Sequence, residues 1–263
     1  MKTLFQKHPK VLIGVVHLQP LPGAPRWQGD IESLIEFAVN DARAYERGGA
    51  HALFVENFGD VPFTKGAVAP ETIAAMAAAG RAIRQAVKLP IGFNVLRNDA
   101  RTALALCAVC GGAFVRINVH TGAMLTDQGL IEGNAYDTLR YRERACPQAQ
   151  IFADVHVKHA VPLGNWTIED AARDTVERGL ANALIVSGAG TGLATELADV
   201  ERVRRTCPGT KILLGSGVRL ENVSDYLPVA DGFIVGSSLK VAGKLYNPVD
   251  PKRVAALVRA LRV

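Results

Sequence analysis

The chain has 263 residues, 49% of them hydrophobic and 21% charged, with a formal net charge of +5. That composition excludes a disordered or fibrous chain and allows a large core, and α/β barrels commonly reach about 250 residues as one unit. The basic residues are scattered along helical patterns (Arg81, Arg84, Arg140, Arg142, Arg202, Arg204) without aromatic interleaving, which argues against nucleic acid and for anionic small molecules.

Residues 1–10 are polar and carry no apolar signal core, and no run approaches the ~18 apolar residues of a membrane span, so a cytoplasmic, reduced protein is expected. The first strand covers 11–18. A Pro/Gly-rich loop over 19–29 follows, and Asp30 caps a helix running to Gly48-Gly49. The second strand is 52–57, its loop 58–69, and the next helix 70–88. The third strand is 89–97, after which Asp99 opens a helix ending at Gly111-Gly112. Cys107 and Cys110 lie in that helix; no second pair stands at zinc-site spacing, so they read as buried helix residues.

The fourth strand spans 114–120, followed by a loop over 121–133 and a helix near 136–145. The fifth begins at Ile151, and Thr167 caps the next helix, with Glu169 and Asp170 in its first turn. Strands six to eight cover 183–187, 211–217 and 231–238, and a last helix runs from Pro251 to Leu261. This alternation predicts a single (β/α)8 barrel over residues 1–263, all parallel with right-handed crossovers. A doubly wound open sheet is the rival, weakened because no Gly-x-Gly-x-x-Gly follows the first strand.

Helix-to-strand connections are tight, whereas those after strands one, two and four exceed ten residues. Long connections usually serve function, and in a barrel they crowd the C-terminal rim, where active sites of this fold lie. That rim collects His17, Glu56, Asn118, His120, Asp154, His156 and Lys158 as candidate catalytic residues. Alternation along a strand places Asp154, His156 and Lys158 on one face, and Arg116, Asn118 and His120 on one face of the neighbouring strand. A carboxylate, an imidazole and a desolvated amine are the parts of acid–base catalysis, and the amine could also form a Schiff base. A divalent metal held by some of Glu56, His120, Asp154 and His156 is the weaker alternative, since no His-Glu-x-x-His spacing supports it.

The C-terminal quarter is different. Gly215-Ser216-Gly217 ends strand seven, Gly236-Ser237-Ser238 ends strand eight, and Gly188 and Gly190 follow strand six. Small residues let backbone N–H groups approach an anion, and barrels often hold a phosphate between the loops after strands seven and eight.

Four stretches carry a resemblance: 13–23 (Ile-Gly-Val-Val-His-Leu-Gln-Pro-Leu-Pro-Gly), 55–60 (Val-Glu-Asn-Phe-Gly-Asp), 126–133 (Thr-Asp-Gln-Gly-Leu-Ile-Glu-Gly) and 153–159 (Ala-Asp-Val-His-Val-Lys-His). On these the chain resembles the BtpA/SgcQ family, which looks like a branch of the ribulose-phosphate-binding barrels. The resemblance implies two kinds of role. One is biogenesis of photosystem I as a peripheral thylakoid factor. The other, in relatives beside sugar-uptake genes, is that of nucleosidases or sugar-phosphate enzymes. It implies no catalytic residue.

The expectation is therefore an enzyme acting on a phosphorylated sugar or nucleoside-like molecule, of nucleosidase, isomerase or lyase type. The alternative is a non-catalytic assembly factor with peripheral membrane contact, for which the basic last helix could serve. A homo-oligomer, most simply a dimer, is expected for this fold size.

Overall fold

The sequence encodes short apolar strands separated by amphipathic helices, and these close on themselves. A computed structural model describes residues 2–188, 190 and 194–262. The barrel strands are β1 (Val11–His17), β2 (Ala52–Glu56), β3 (Ile91–Asn94), β4 (Phe114–Ile117), β5 (Gln150–Val155), β6 (Ala183–Val186), β7 (Lys211–Leu214) and β8 (Gly232–Val235). All are parallel, each pairs with its sequence neighbours, and β1 pairs with both β2 and β8 to close the cylinder. This is the (β/α)8 architecture expected from the sequence.

Helix starts follow local chemistry. Asp30 accepts the Ser33 amide at the start of helix Ile31–Arg47, Asp99 the Thr102 amide before Ala100–Cys110, and Thr167 the Asp170 amide before Ile168–Glu177. Each satisfies one of the four free N–H groups of a first helical turn. All four cysteines are free and buried. Among the described residues no helix is long and apolar enough to cross a membrane.

Three features depart from the simple alternation. Residues from Lys2 to Lys7 form a helix ahead of the first strand, and its Leu4 and Phe5 pack against the apolar interior of the barrel. The connection after β4 contains strands Ala123–Thr126 and Gly129–Glu132, which join Ala160–Pro162 in an antiparallel sheet of order 129–132, 123–126, 160–162. The helix after β7 is only Val223–Tyr226.

Period-two alternation sets the lumen. Ile13, Val15, Phe54, Phe114, Phe152, Ile185, Leu213 and Ile234 form one apolar cluster inside the cylinder. The Phe114 ring lies edge-on to Phe54 at 4.7 Å and stacks on Phe152 at 5.1 Å. Gly92 makes room for this layer, because a Cβ there would lie 2.3 Å from the Phe114 ring. Two residues further along each strand, the same inward parity reaches Glu56, Arg116 and Asp154, so polarity begins one layer above the aromatic floor.

Elsewhere, Lys240 is buried and donates to Asp41 Oδ2 at 2.6 Å, while Asp41 Oδ1 accepts the Val249 amide at 2.7 Å. This pair ties the chain after β8 to helix Ile31–Arg47. Removing one partner of a buried pair strands the other charge and costs about 3–5 kcal/mol, whereas replacing both by apolar side chains of similar volume can be neutral. We therefore expect Asp41→Leu to lower the unfolding free energy by about 3–5 kcal/mol in urea titrations, and Asp41→Leu/Lys240→Met to recover most of that loss.

Candidate active site

The floor of the mouth is an ion pair between adjacent strands. Arg116 Nε and Nη2 donate to Asp154 Oδ2 and Oδ1, both at 2.8 Å, with both side chains buried. Asn118 Nδ2 adds a bond to Oδ2 at 3.3 Å and the Ser187 hydroxyl one to Oδ1 at 3.1 Å. Asp154 is thereby fully engaged as an acceptor. On the opposite side Glu56, 5% exposed, accepts a 2.6 Å bond from Asn94 Nδ2. Among the described residues it has no cationic partner within ion-pair distance.

Lys158 lies beyond the end of β5 and reaches back over the mouth. Its ammonium makes no hydrogen bond or ion pair among the described residues. Burial and the nearby Arg116 charge push its pKa below the ordinary lysine value, partly offset by Glu56 and Asp154. His17 ends β1. Its ring lies 4.9 Å from that of Phe58, and a Cβ on Gly236 would sit 2.4 Å from it, so glycine at 236 is what lets the imidazole settle there. Burial, together with the charges of Lys240, Lys158 and Arg116, holds His17 well below the usual imidazole pKa. It is neutral at neutral pH.

One cleft joins His17, Glu56, Arg116 and Lys158 to the loops 215–219 and 236–238. The amides of Gly217, Gly236, Ser237 and Ser238 donate to no acceptor among the described residues, and Gly217 needs its φ of +69° to turn there. Other members of the predicted glycine corner are already occupied. The Gly188 amide donates to Ser216 Oγ at 2.8 Å, the Gly215 amide donates to the Val186 carbonyl, and the Ser238 hydroxyl donates to the Val218 carbonyl. Gly190 is buried, while Ala189, Thr191 and Gly192 of the same run lie outside the described residues.

The expectation of two polar rows facing one way fails at His120 and His156. The barrel strands end at Ile117 and Val155, and strict alternation ends with them. His120 turns away from the cleft to bond the Gly179 carbonyl through Nε2 at 2.7 Å, and burial lowers its pKa. His156 has φ of +52°, and the charges nearest its imidazole are Asp199, Arg202 and Glu169 on the outer helices. Neither lines the mouth. Among the described residues no group of three or more His, Cys, Asp or Glu side chains is arranged to hold a metal ion.

The site also holds residues that the sequence reading did not select. Arg219 lines the cleft beside Gly217. A second lobe shares Glu56, Arg116 and Lys158 with the first, includes the expected Asn118, and adds Phe58, Phe63, Asn94, Arg97 and Asp127. The aromatic run Phe58–Phe63 in the long loop after β2 was the available signal.

The chain belongs to the BtpA family, whose model matches residues 8–263. The Photosystem I biogenesis protein BtpA of Synechocystis sp. is 46% identical over 98% of this chain and 89% of that protein. The sgc region protein SgcQ of Escherichia coli is 34% identical over 94% of this chain and 92% of its own length. Among solved structures, N-(5′-phosphoribosyl)anthranilate isomerase from Pyrococcus furiosus superposes with a TM-score of 0.59 at 12% identity, covering 96% of this chain and 98% of that one. At that identity the likeness speaks for the fold alone.

A depressed pKa leaves a larger fraction of Lys158 as the free, nucleophilic amine at any given pH. Mild trinitrophenylation near pH 7.5, read by peptide mass spectrometry, should therefore label Lys158 several-fold faster than the exposed Lys65. Equal or slower labelling would contradict the geometry described.

Proposed function

We propose that the protein is an enzyme acting on a phosphorylated sugar or nucleoside-like molecule at the C-terminal mouth of its barrel. The observation that carries this reading is the single cleft in which an unpaired amine and an unpaired carboxylate face a row of unbonded backbone amides. The amides of Gly217, Gly236 and Ser237 grip the phosphate, with Arg219 adding charge at its rim. Such a donor set favours an anion, and the isomerase neighbour of the same fold carries a phosphoribosyl compound in its name.

Glu56 takes a proton from the bound molecule. The Lys158 ammonium, made more acidic by burial and by Arg116, returns one to the developing oxyanion or leaving group. Neutral His17 orients a hydroxyl at the boundary between the sugar and the phosphate. Asp154, occupied by Arg116, Asn118 and Ser187, is a positioning residue that holds the guanidinium in place rather than a base. The chemistry this arrangement supports is proton transfer at sugar carbons, as in glycosidic cleavage, isomerisation or carbon–carbon cleavage.

The name of the Synechocystis relative favours a second reading, that of an assembly factor for a membrane complex. On that reading the working surface is the exposed face of the small antiparallel sheet, where Leu125 and Val161 pair, and the mouth tolerates substitution.

Titration with inorganic phosphate and with D-ribose 5-phosphate separates the two readings. A ligand that binds only the folded state raises the melting temperature by mass action. We expect stabilisation by ribose 5-phosphate that Ser237→Asp weakens at least tenfold, because the new carboxylate occupies the anion position. Once a substrate is in hand, Glu56→Gln and Lys158→Met should each lower kcat by about 10²–10⁴ with binding retained. Absence of any phosphate-dependent stabilisation would favour the assembly reading.

A further inference from the structure

The lobe on the far side of Glu56 and Lys158 is lined differently from the phosphate side. Phe58 and Phe63 meet there at 6.3 Å, edge to face, and Leu96 adds a further apolar wall. Among these apolar surfaces stand three side chains with unpartnered buried polar atoms: Asn94 Oδ1, Asn118 Oδ1 and Arg97 Nε. Their parent residues are 1%, 2% and 3% exposed.

Their orientation is fixed by what they already bond. Asn94 and Asn118 donate their amide N–H groups to Glu56 and Asp154, so each offers its carbonyl oxygen, an acceptor. Arg97 uses Nη2 on the Lys158 carbonyl, which leaves Nε–H as a donor. Buried polar atoms without partners cost about 1–3 kcal/mol each, and a site rejects molecules that leave such groups unmatched. The lobe therefore asks for a group with two or more N–H or O–H donors, one acceptor, and flat apolar faces for the phenylalanines. A sugar supplies the hydroxyls but only puckered C–H faces rather than a flat ring, and a benzene ring supplies the faces but not the donors. A planar nitrogen heterocycle supplies both.

We infer that the second lobe binds a nitrogen heterocycle attached to the phosphorylated sugar, so that the substrate spans the mouth with its phosphate at the β7–β8 loops and its ring between Phe58, Phe63, Asn94 and Asn118. This rests on the phosphosugar reading above and adds the identity of the substrate's other end. Glu56, Arg116 and Lys158, common to both lobes, then lie beneath the sugar and the bond that joins it to the ring.

Isothermal titration of the full chain with D-ribose 5-phosphate and with each of the four ribonucleoside 5′-monophosphates tests this. Phe63 is only partly buried in a loop, so Phe63→Ala folds normally and removes one wall of the lobe. The expected result is that at least one monophosphate binds tenfold or more tightly than ribose 5-phosphate. Phe63→Ala should abolish that advantage while leaving ribose 5-phosphate affinity within twofold. Binding of ribose 5-phosphate with no gain from any base would overturn the inference and leave the phosphosugar reading standing. A gain that survives Phe63→Ala would place the ring elsewhere and also overturn it. Failure of ribose 5-phosphate and all four monophosphates to bind would instead sink the phosphosugar reading, and this inference with it.

Discussion

The mouth of this barrel depends on the paired charges of Arg116 and Asp154. Each ion taken alone into the lumen, directly above the Phe54–Phe114–Phe152 layer, would carry a desolvation penalty of several kcal/mol. Two parallel 2.8 Å bonds in the fork geometry of guanidinium and carboxylate offset that penalty. Asn118 and Ser187 take up what remains of the carboxylate's capacity. Residues from three parts of the barrel are keyed to the pair. β4 supplies the cation, β5 the anion, and glycine follows β7 at 215, where a Cβ would come within 3.1 Å of Arg116 Nη2 and 2.5 Å of Ser187 Oγ.

The electrostatics above this floor follow from it. Asp154 is committed to Arg116, and Glu56 forms no ion pair with Lys158. The Lys158 amine is repelled by Arg116 and more weakly attracted by Glu56 and Asp154. His17 sits in the same positive surroundings and stays neutral. Arg97 and Arg219 add further positive charge at the rim, against Glu56 and Asp127. A cleft of net positive charge with low-dielectric walls concentrates anions, which is the field a phosphate-bearing molecule needs. The same field would act against a cationic ligand.

Much of the fold is legible in the sequence because it is set by local rules. Apolar runs of strand length, caps such as Asp30, Asp99 and Thr167, and tight glycine turns into the strands fix the (β/α)8 order without tertiary information. The lumen floor is legible for the same reason: Phe114 and Arg116 on one strand, and Phe152 and Asp154 on the next, obey period two. The rim is not. β4 ends at Ile117 and β5 at Val155, so His120 and His156, which lie beyond those ends, are placed by turn geometry rather than by pleat. The positive φ at His156 swings its ring toward the outer helices, and no feature of Asp-Val-His-Val-Lys announces that turn. Lys158 returns to the mouth only because the chain there folds back to pair Ala160–Pro162 with Ala123–Thr126, a long-range contact invisible to periodicity.

A barrel refined for stability alone would pair its polar groups, as it does for Lys240 with Asp41 and for Arg116 with Asp154. Around the mouth it does the opposite. Lys158 Nζ, Asn94 Oδ1, Asn118 Oδ1, Arg97 Nε and the amides of Gly217, Gly236 and Ser237 all lack partners among the described residues, and they belong to residues lining two adjoining lobes. Each buried side-chain atom left so, Asn94 Oδ1, Asn118 Oδ1 and Arg97 Nε, is destabilising on its own. Four more among the described residues lie away from the opening (His120 Nδ1, Gln128 Oε1, Arg142 Nε and His156 Nε2). Those at the mouth, however, adjoin one another, with donors at one end and acceptors among aromatic walls at the other, which is the pattern the proposed ligand would complete. On the proposed function, the folding free energy forgone there would be recovered on binding, so the same groups that weaken the empty barrel would give it selectivity.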